Sequence, residues 1–220
     1  MTIIGSAAPG YRMLAKKDRG EIYLYGPVGA DWFGDGVSAK VFADDLKKLG
    51  AVSTIDVRIN SEGGDVFAGK AMYSLLKEHK AKVIVHVDGL AASAASFIAM
   101  AGDEIEIDEG AFVMIHDAYG GARGRAKDLR DYADLLDSVN ASIVDTYVAR
   151  TKNDAATIKK WMDEETWMAG KDAVARGFAD RLAGGKAKAR ASIANAAIYN
   201  NLPQELRPNR AKALAALGKQ

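Results

Sequence analysis

Two hydrophobic periods take turns along this chain. Apolar and polar positions alternate every second residue over Thr54–Asn60 and Glu104–Asp108, which predicts half-buried strands. Glu21–Tyr25, Lys82–Val87 and Phe112–His116 are short β-branched or aromatic runs that also read as strands, the first closed by Gly26-Pro27. Between them the spacing becomes helical. Val41, Phe42, Leu46 and Leu49 share one face of a helix over 39–49, with Ser38 as its N-cap. Phe67, Ala68, Met72, Leu75 and Leu76 do the same from Asp65 to about Lys80. A long helix follows from about Arg125 to Thr151, striped by Leu129, Tyr132, Leu135, Leu136, Val139, Ile143, Val144 and Tyr147. Asn153-Asp154 starts a short helix ending near Met162. Lys171–Arg176 is another, stopped by Gly177, and Phe178–Leu182 closes the domain. The repeated strand–helix order predicts an α/β fold with a parallel sheet and right-handed crossovers.

The flanks differ from this body. Residues 1–20 read as a poorly ordered N-terminal arm ending in the polar cluster Lys16–Gly20, and the domain spans 21–183. From Gly184 onward the tail 184–220 holds seven Lys or Arg and one acidic residue, Glu205. It reads as a basic, solvated and flexible extension, or more sharply as a partner-docking or cleavable segment.

Composition narrows the classes. The chain is 49% hydrophobic and 27% charged, ordinary for a soluble globular protein. A net charge of +1 gives no overall attraction to nucleic acid or to a membrane surface. The absence of cysteine excludes disulfides and thiolate chemistry and fits a cytoplasmic setting. The N-terminus lacks the basic and apolar regions of a signal peptide, and no apolar run approaches the ~20 residues of a membrane span. Three scattered histidines predict no metal site. The glycine-rich loop Gly29–Gly36 lacks the Lys-Ser/Thr of a phosphate-binding loop, so no nucleotide and no cofactor are expected.

Candidate chemistry gathers at Gly89-Leu-Ala-Ala-Ser-Ala-Ala-Ser96. A buried strand runs into small residues and then into the helical Phe97–Met100, which puts Ser93 at or near a helix start. Free backbone N–H groups there can receive an oxyanion. The plainer reading is tight helix packing. A serine nucleophile needs a base, and the base needs an orienting acid. His79 lies in the polar helix end Glu78-His79-Lys80, and His86 sits inside a strand. His116 ends a strand and enters the glycine-rich loop 118–124, at the edge where sites of parallel sheets collect. Ser61-Glu-Gly-Gly64 breaks another strand. Its glycines allow close backbone approach and half of an oxyanion hole, or form a simple turn. Asp163–Met168 is acidic and then aromatic, and such carboxylates often serve as helix caps.

The joint order resembles the proteolytic subunit of the Clp protease, and most closely the Clp-like proteases of bacteriophage and prophage head-assembly modules. The matching stretches are Ile59–Gly64, Gly89–Ala94, Met114–His116 and Glu165–Asp180, and the likeness runs from about Ile22 to Leu182. The resemblance implies a crotonase-like β/α spiral with a long inter-subunit helix. It implies a serine endopeptidase with Ser93 as nucleophile, His116 as base, and the amides of Gly64 and Ala94 as the oxyanion hole. The acid falls on Glu165, where the Clp subunit has aspartate, with Asp163 as fallback. Asp117 adjoins His116, but on an extended strand their side chains point to opposite faces. Ser96 competes with Ser93 as nucleophile. The resemblance further implies ring homo-oligomers, as heptamers or tetradecamers, scaffold or capsid proteins as substrates, and any ATPase as a separate protein. The setting would be the bacterial host cytoplasm or the phage prohead.

Two other classes share these features. Crotonase-type acyl-CoA enzymes also use backbone oxyanion donors, but they need no Ser/His pair. A non-catalytic ring or assembly protein would keep the fold without the chemistry.

Overall fold

Strand β5 (Lys82–Ala92) is the axis of the molecule, and it serves two neighbourhoods in succession. In the computed structural model, which describes residues 1–6, 8–29, 36–184 and 199–207, its first half lies between β4 (Thr54–Ser61) and β6 (Glu104–Ile107), parallel to both. Its second half runs beside β7 (Phe112–Ile115), in the register Leu90↔Phe112, Ala91↔Val113 and Ala92↔Met114. The burial pattern records the change. Val83, Val85 and Val87 are buried between half-exposed neighbours, whereas Leu90, Ala91 and Ala92 are buried in sequence because both faces are covered. Gly89-Leu-Ala-Ala, expected as part of the turn, is therefore strand.

The sheet continues from β4 to β3 (Arg19–Leu24), parallel, and on through β2 (Tyr11–Lys16) to β1 (Thr2–Gly5), both antiparallel. The N-terminal twenty residues, expected as a poorly ordered arm, thus supply two strands and the start of a third. Tyr11, Met13 and Leu14 are buried, and the Tyr11 hydroxyl donates to the buried Asp45 carboxylate on α1 (Ala39–Leu49) at 3.2 Å. Burial, and then contact with that carboxylate, push the Tyr11 hydroxyl pKa upward. The polar cluster 16–20 is the hairpin turn and not a terminus of order.

Helices α1 and α2 (Val66–Glu78) start on side-chain caps, Ser38 to the Val41 amide and Asp65 to the Ala68 amide. Short α3 (Ala94–Ala99) is wholly buried. The long α4 (Ala126–Thr151) buries only its second half, at Ile143, Val144, Tyr147 and Thr151, while Leu129 and Leu135 on the first half are about half exposed. The apolar stripe is real, and its N-terminal portion lies open. Helix α5 (Ala155–Asp163) leads into β8 (Thr166–Ala169), a strand too short to show a period, which pairs antiparallel with β7. Helix α6 (Gly170–Ala175) and β9 (Arg181–Leu182), parallel to β6, follow.

The result is a mixed α/β fold with one mixed sheet and its helices, the class the sequence predicts. Among the described residues no helix is long and apolar enough to cross a membrane. Most of the loop 29–36 and of the basic tail lies outside the described residues. Within the tail, residues 199–207 are packed on the domain: Tyr199 and Leu202 are buried, and Gln204–Leu206 form a single 3₁₀ turn.

Candidate active site

Three strand ends converge because of register. Strands β5 and β7 are parallel, so their C-termini lie at the same edge. The Ser93 amide, one residue past β5, donates to the Met114 carbonyl at 3.0 Å. His116 begins just beyond β7. Strand β8 runs the other way with Ile115↔Thr166, so the residue before Thr166, Glu165, comes in beside His116.

Ser93 occupies a sharp strand-to-helix corner with φ 51° and ψ −127°, a conformation L-residues avoid. The turn is braced from behind. Ser96 Oγ donates to the Ser93 carbonyl at 2.6 Å and lies 2.7 Å from the Tyr147 hydroxyl on α4. Ser96 is fully buried and engaged in this bracing, so its hydroxyl is not presented to the cleft. Ser93 Oγ instead faces His116, 2.8 Å from Nε2. For Ser93 Oγ to donate across this contact, Nε2 must accept, which is the tautomer with the ring proton on Nδ1.

Burial lowers the His116 pKa below the ordinary histidine value, and the Glu165 charge partly offsets that. The imidazole is therefore neutral and basic in neutral solution. Glu165 is itself buried, at a left-handed backbone position with φ 48°. Its carboxylate accepts from Trp167 Nε1 at 3.1 Å and from the amides of Asn200 and Asn201 at 2.9 and 2.8 Å. It is close enough to His116 to act through its charge, although no hydrogen bond joins the two. Asp163, the fallback acid, is exposed at the end of α5. Its charge is felt by Asp117, whose pKa is raised by burial and then by Asp163 and Asp137.

The loop after β4 completes the surroundings. Gly63 and Gly64 have φ of 91° and 144°. A Cβ on Gly63 would lie 2.8 Å from the Ala94 nitrogen, so only glycine lets this loop approach the start of α3 so closely. Among the described residues, neither the Gly64 nor the Ala94 amide has a hydrogen-bond acceptor. Both residues line a cleft of about 680 Å³ together with Ser93 and His116. The cleft wall is otherwise largely apolar, including Phe67, Phe97, Tyr119, Leu135 and Val139. A hydroxyl bonded to a neutral imidazole, beside two free amides in such a cleft, can attack a carbonyl and receive the resulting oxyanion.

The other histidines are structural. His79 Nδ1 accepts from the Ala81 amide at 3.0 Å after α2, and His86 lies 3.1 Å from both Asp56 and Glu106 on the neighbouring strands. Among the described residues no group of His, Asp and Glu could hold a metal ion. Sequence reasoning missed the bracing pair Ser96–Tyr147 and the contribution of Tyr199–Asn201. The first is a contact across 51 residues that no local pattern announces. The second sits in a stretch with no periodicity.

A family model described as Clp protease matches residues 11–186. It takes in β2 to β9, with Ser93, His116 and Glu165. Proteins of this family are serine-type peptidases that typically assemble as homo-oligomeric rings. With most of its length matched, this chain belongs to the Clp protease family.

Proposed function

We propose that this protein is a serine endopeptidase of the phage Clp-like type, with Ser93 as nucleophile, His116 as general base and Glu165 as the acid. The observation that carries the reading is the 2.8 Å contact between Ser93 Oγ and His116 Nε2 at a corner flanked by two free amides. His116 takes the hydroxyl proton as Ser93 Oγ attacks a peptide carbonyl. The amides of Gly64 and Ala94 receive the oxyanion. His116 then protonates the leaving amine, and water, deprotonated by the same imidazole, hydrolyses the acyl-enzyme and frees the serine. The Glu165 charge favours the imidazolium formed in between. The substrates we assign are scaffold or capsid proteins cleaved during prohead maturation, with any unfolding ATPase a separate protein.

The half-exposed first part of α4 supports ring assembly, since Leu129 and Leu135 lie open among the described residues. The test is labelling with a fluorophosphonate probe, followed by peptide mapping, on the wild type, Ser93→Ala and His116→Ala. Adduct at Ser93 that disappears in both variants is expected. A folded, assembled protein that takes up no label would sink the reading and favour an assembly protein or an acyl-CoA enzyme. Incubation with purified prohead proteins then tests the substrate class; an active hydrolase that leaves them intact would overturn that part alone.

A further inference from the structure

The carboxylate of Glu165 is held mainly by a part of the chain that no catalytic motif includes. Of its three N–H donors, one is Trp167 Nε1 and two are the backbone amides of Asn200 and Asn201. The same segment is anchored on both sides. Asn201 Nδ2 donates to the Glu164 carbonyl at 2.6 Å. The Tyr199 ring stands edge-on to Trp167, with centroids 5.2 Å apart at 81°. Leu202 is buried in a small cluster with Leu90, Ala92 and Met114, residues of the two strands that deliver Ser93 and His116. Tyr199 also lines the cleft beside those two residues.

A buried carboxylate that loses its donors is left unsatisfied and turns away toward solvent. Glutamate is especially exposed to this, because its extra torsion gives it more rotamers to lose than aspartate. Amide donors fixed on a docked backbone remove that freedom. We propose that residues 199–202 are a positioning element of the catalytic site, in which the amides of Asn200 and Asn201 hold the Glu165 carboxylate in place beside His116, and Tyr199 and Leu202 clamp the segment. The inference rests on the serine-hydrolase reading above. It assigns to the part of the basic tail that packs on the domain a catalytic supporting role in place of a purely solvated one.

The test uses the full chain. Asn201→Pro deletes one of the two amide donors, and Leu202→Asp undocks the segment without touching Glu165. Each is compared with Glu165→Gln, and each is combined with it. Circular dichroism and oligomeric state confirm folding, and the rate of fluorophosphonate labelling at Ser93 is the readout. Both single variants are expected to label about 10²-fold more slowly, the scale of a misplaced catalytic group. The decisive readout is non-additivity: on a Glu165→Gln background neither change should cost much more, because the group they position is already gone. Rates within twofold of wild type, a faster rate, or full additive losses would overturn the proposal. If one variant fails to fold, the other carries the cycle. Wild-type protein that never labels would end the serine-hydrolase reading and this inference with it, whereas a labelled wild type with indifferent variants would end the inference alone.

Discussion

The hydroxyls of Ser96 and Tyr147 lie 2.7 Å apart, fully buried, and tie the long helix to the back of the Ser93 corner. Ser96 also bonds the Ser93 carbonyl, so one side chain braces a strained φ and links it to the long helix α4. Burial raises the Tyr147 hydroxyl pKa well above its ordinary value, which keeps it a neutral partner at every working pH. Tyr147→Phe removes one buried hydrogen bond and should cost about 1 kcal/mol. Ser96→Ala removes two and strands the Tyr147 hydroxyl, for a loss of about 1–3 kcal/mol. Thermal unfolding should rank them wild type, Tyr147→Phe, Ser96→Ala. Labelling at Ser93 should slow in Ser96→Ala, where the corner is free to relax. An unchanged rate there would mean the corner holds its shape without the brace.

The pH dependence follows from His116. Only the neutral imidazole can take the Ser93 proton, and burial holds its pKa below the ordinary value of about 6.5. Labelling should therefore persist into mildly acidic solution and fall away at a midpoint below that value. Stability has the same sign. As pH drops below about 6.5 the unfolded chain binds a proton on this residue before the folded chain does, so folding weakens toward the lower folded pKa. Glu165→Gln removes the charge that partly offsets burial, and its midpoint should move lower still. A rate profile measured across the acid range checks both, and a wild-type midpoint above neutrality would contradict the burial argument.

Legibility in the sequence followed the strength of local periodicity. Strand β4 and helices α1, α2 and α4 carry clean period-2 or period-3.6 patterns, and each appears within a residue or two of its expected bounds. The N-terminal hairpin did not announce itself. Lys16-Lys-Asp-Arg reads as a polar break, yet its turn only reverses a chain whose Tyr11, Met13 and Leu14 are core. The end of β5 was hidden for a different reason: Gly89-Leu-Ala-Ala is small enough to look like a turn, and it is small because both of its faces are covered. Strand-end logic made His116 a candidate base, and the family resemblance chose it. Glu165 came only from family resemblance, because its approach depends on the β7–β8 pairing.

That hairpin is part of the folding unit. Strand β2 covers β3 along six paired residues, and Tyr11 reaches Asp45 on α1. Deleting residues 1–16 would expose Ile22 and Leu24 and leave the buried Asp45 with only Lys48 at its edge. Loss of the Tyr11 and Met13 side chains alone removes several kcal/mol, at about 2–5 kcal/mol per large buried residue. The truncated chain should express as insoluble or molten protein. A soluble, cooperatively unfolding truncation would show that the sheet is self-sufficient from β3.

The choice of acid is tested by a pair of isosteric changes. Glu165 is buried and acts on His116 through its charge, whereas Asp163 is exposed and its charge is felt by Asp117. Glu165→Gln should slow Ser93 labelling by about 10²–10⁴-fold, because the neutral amide no longer stabilises the imidazolium. Asp163→Asn should leave the rate within about twofold, the small effect of losing one solvent-screened charge. The reverse ranking would move the acid to Asp163 and would require α5 to shift its last turn toward the cleft.

Gly64 offers the sharpest separation of binding from chemistry. Its φ of 144° is outside the range of L-residues, and a Cβ there would lie 2.1 Å from the Val28 carbonyl oxygen. Gly64→Ala must therefore move the loop, and with it the amide assigned to the oxyanion. Losing one such donor costs about 10²–10³ in kcat. The KM for a peptide substrate should change much less, because the amide meets the oxyanion and not the ground-state carbonyl. Gly63→Ala collides with the Ala92 carbonyl and the Ala94 amide at once, so it should disturb both donors and the serine corner together. Its loss should exceed that of Gly64→Ala and be accompanied by a lower melting temperature. Kinetics with a peptide substrate on the two variants decide the matter: a rise in KM with kcat unchanged would place this loop in substrate binding and remove it from the oxyanion hole.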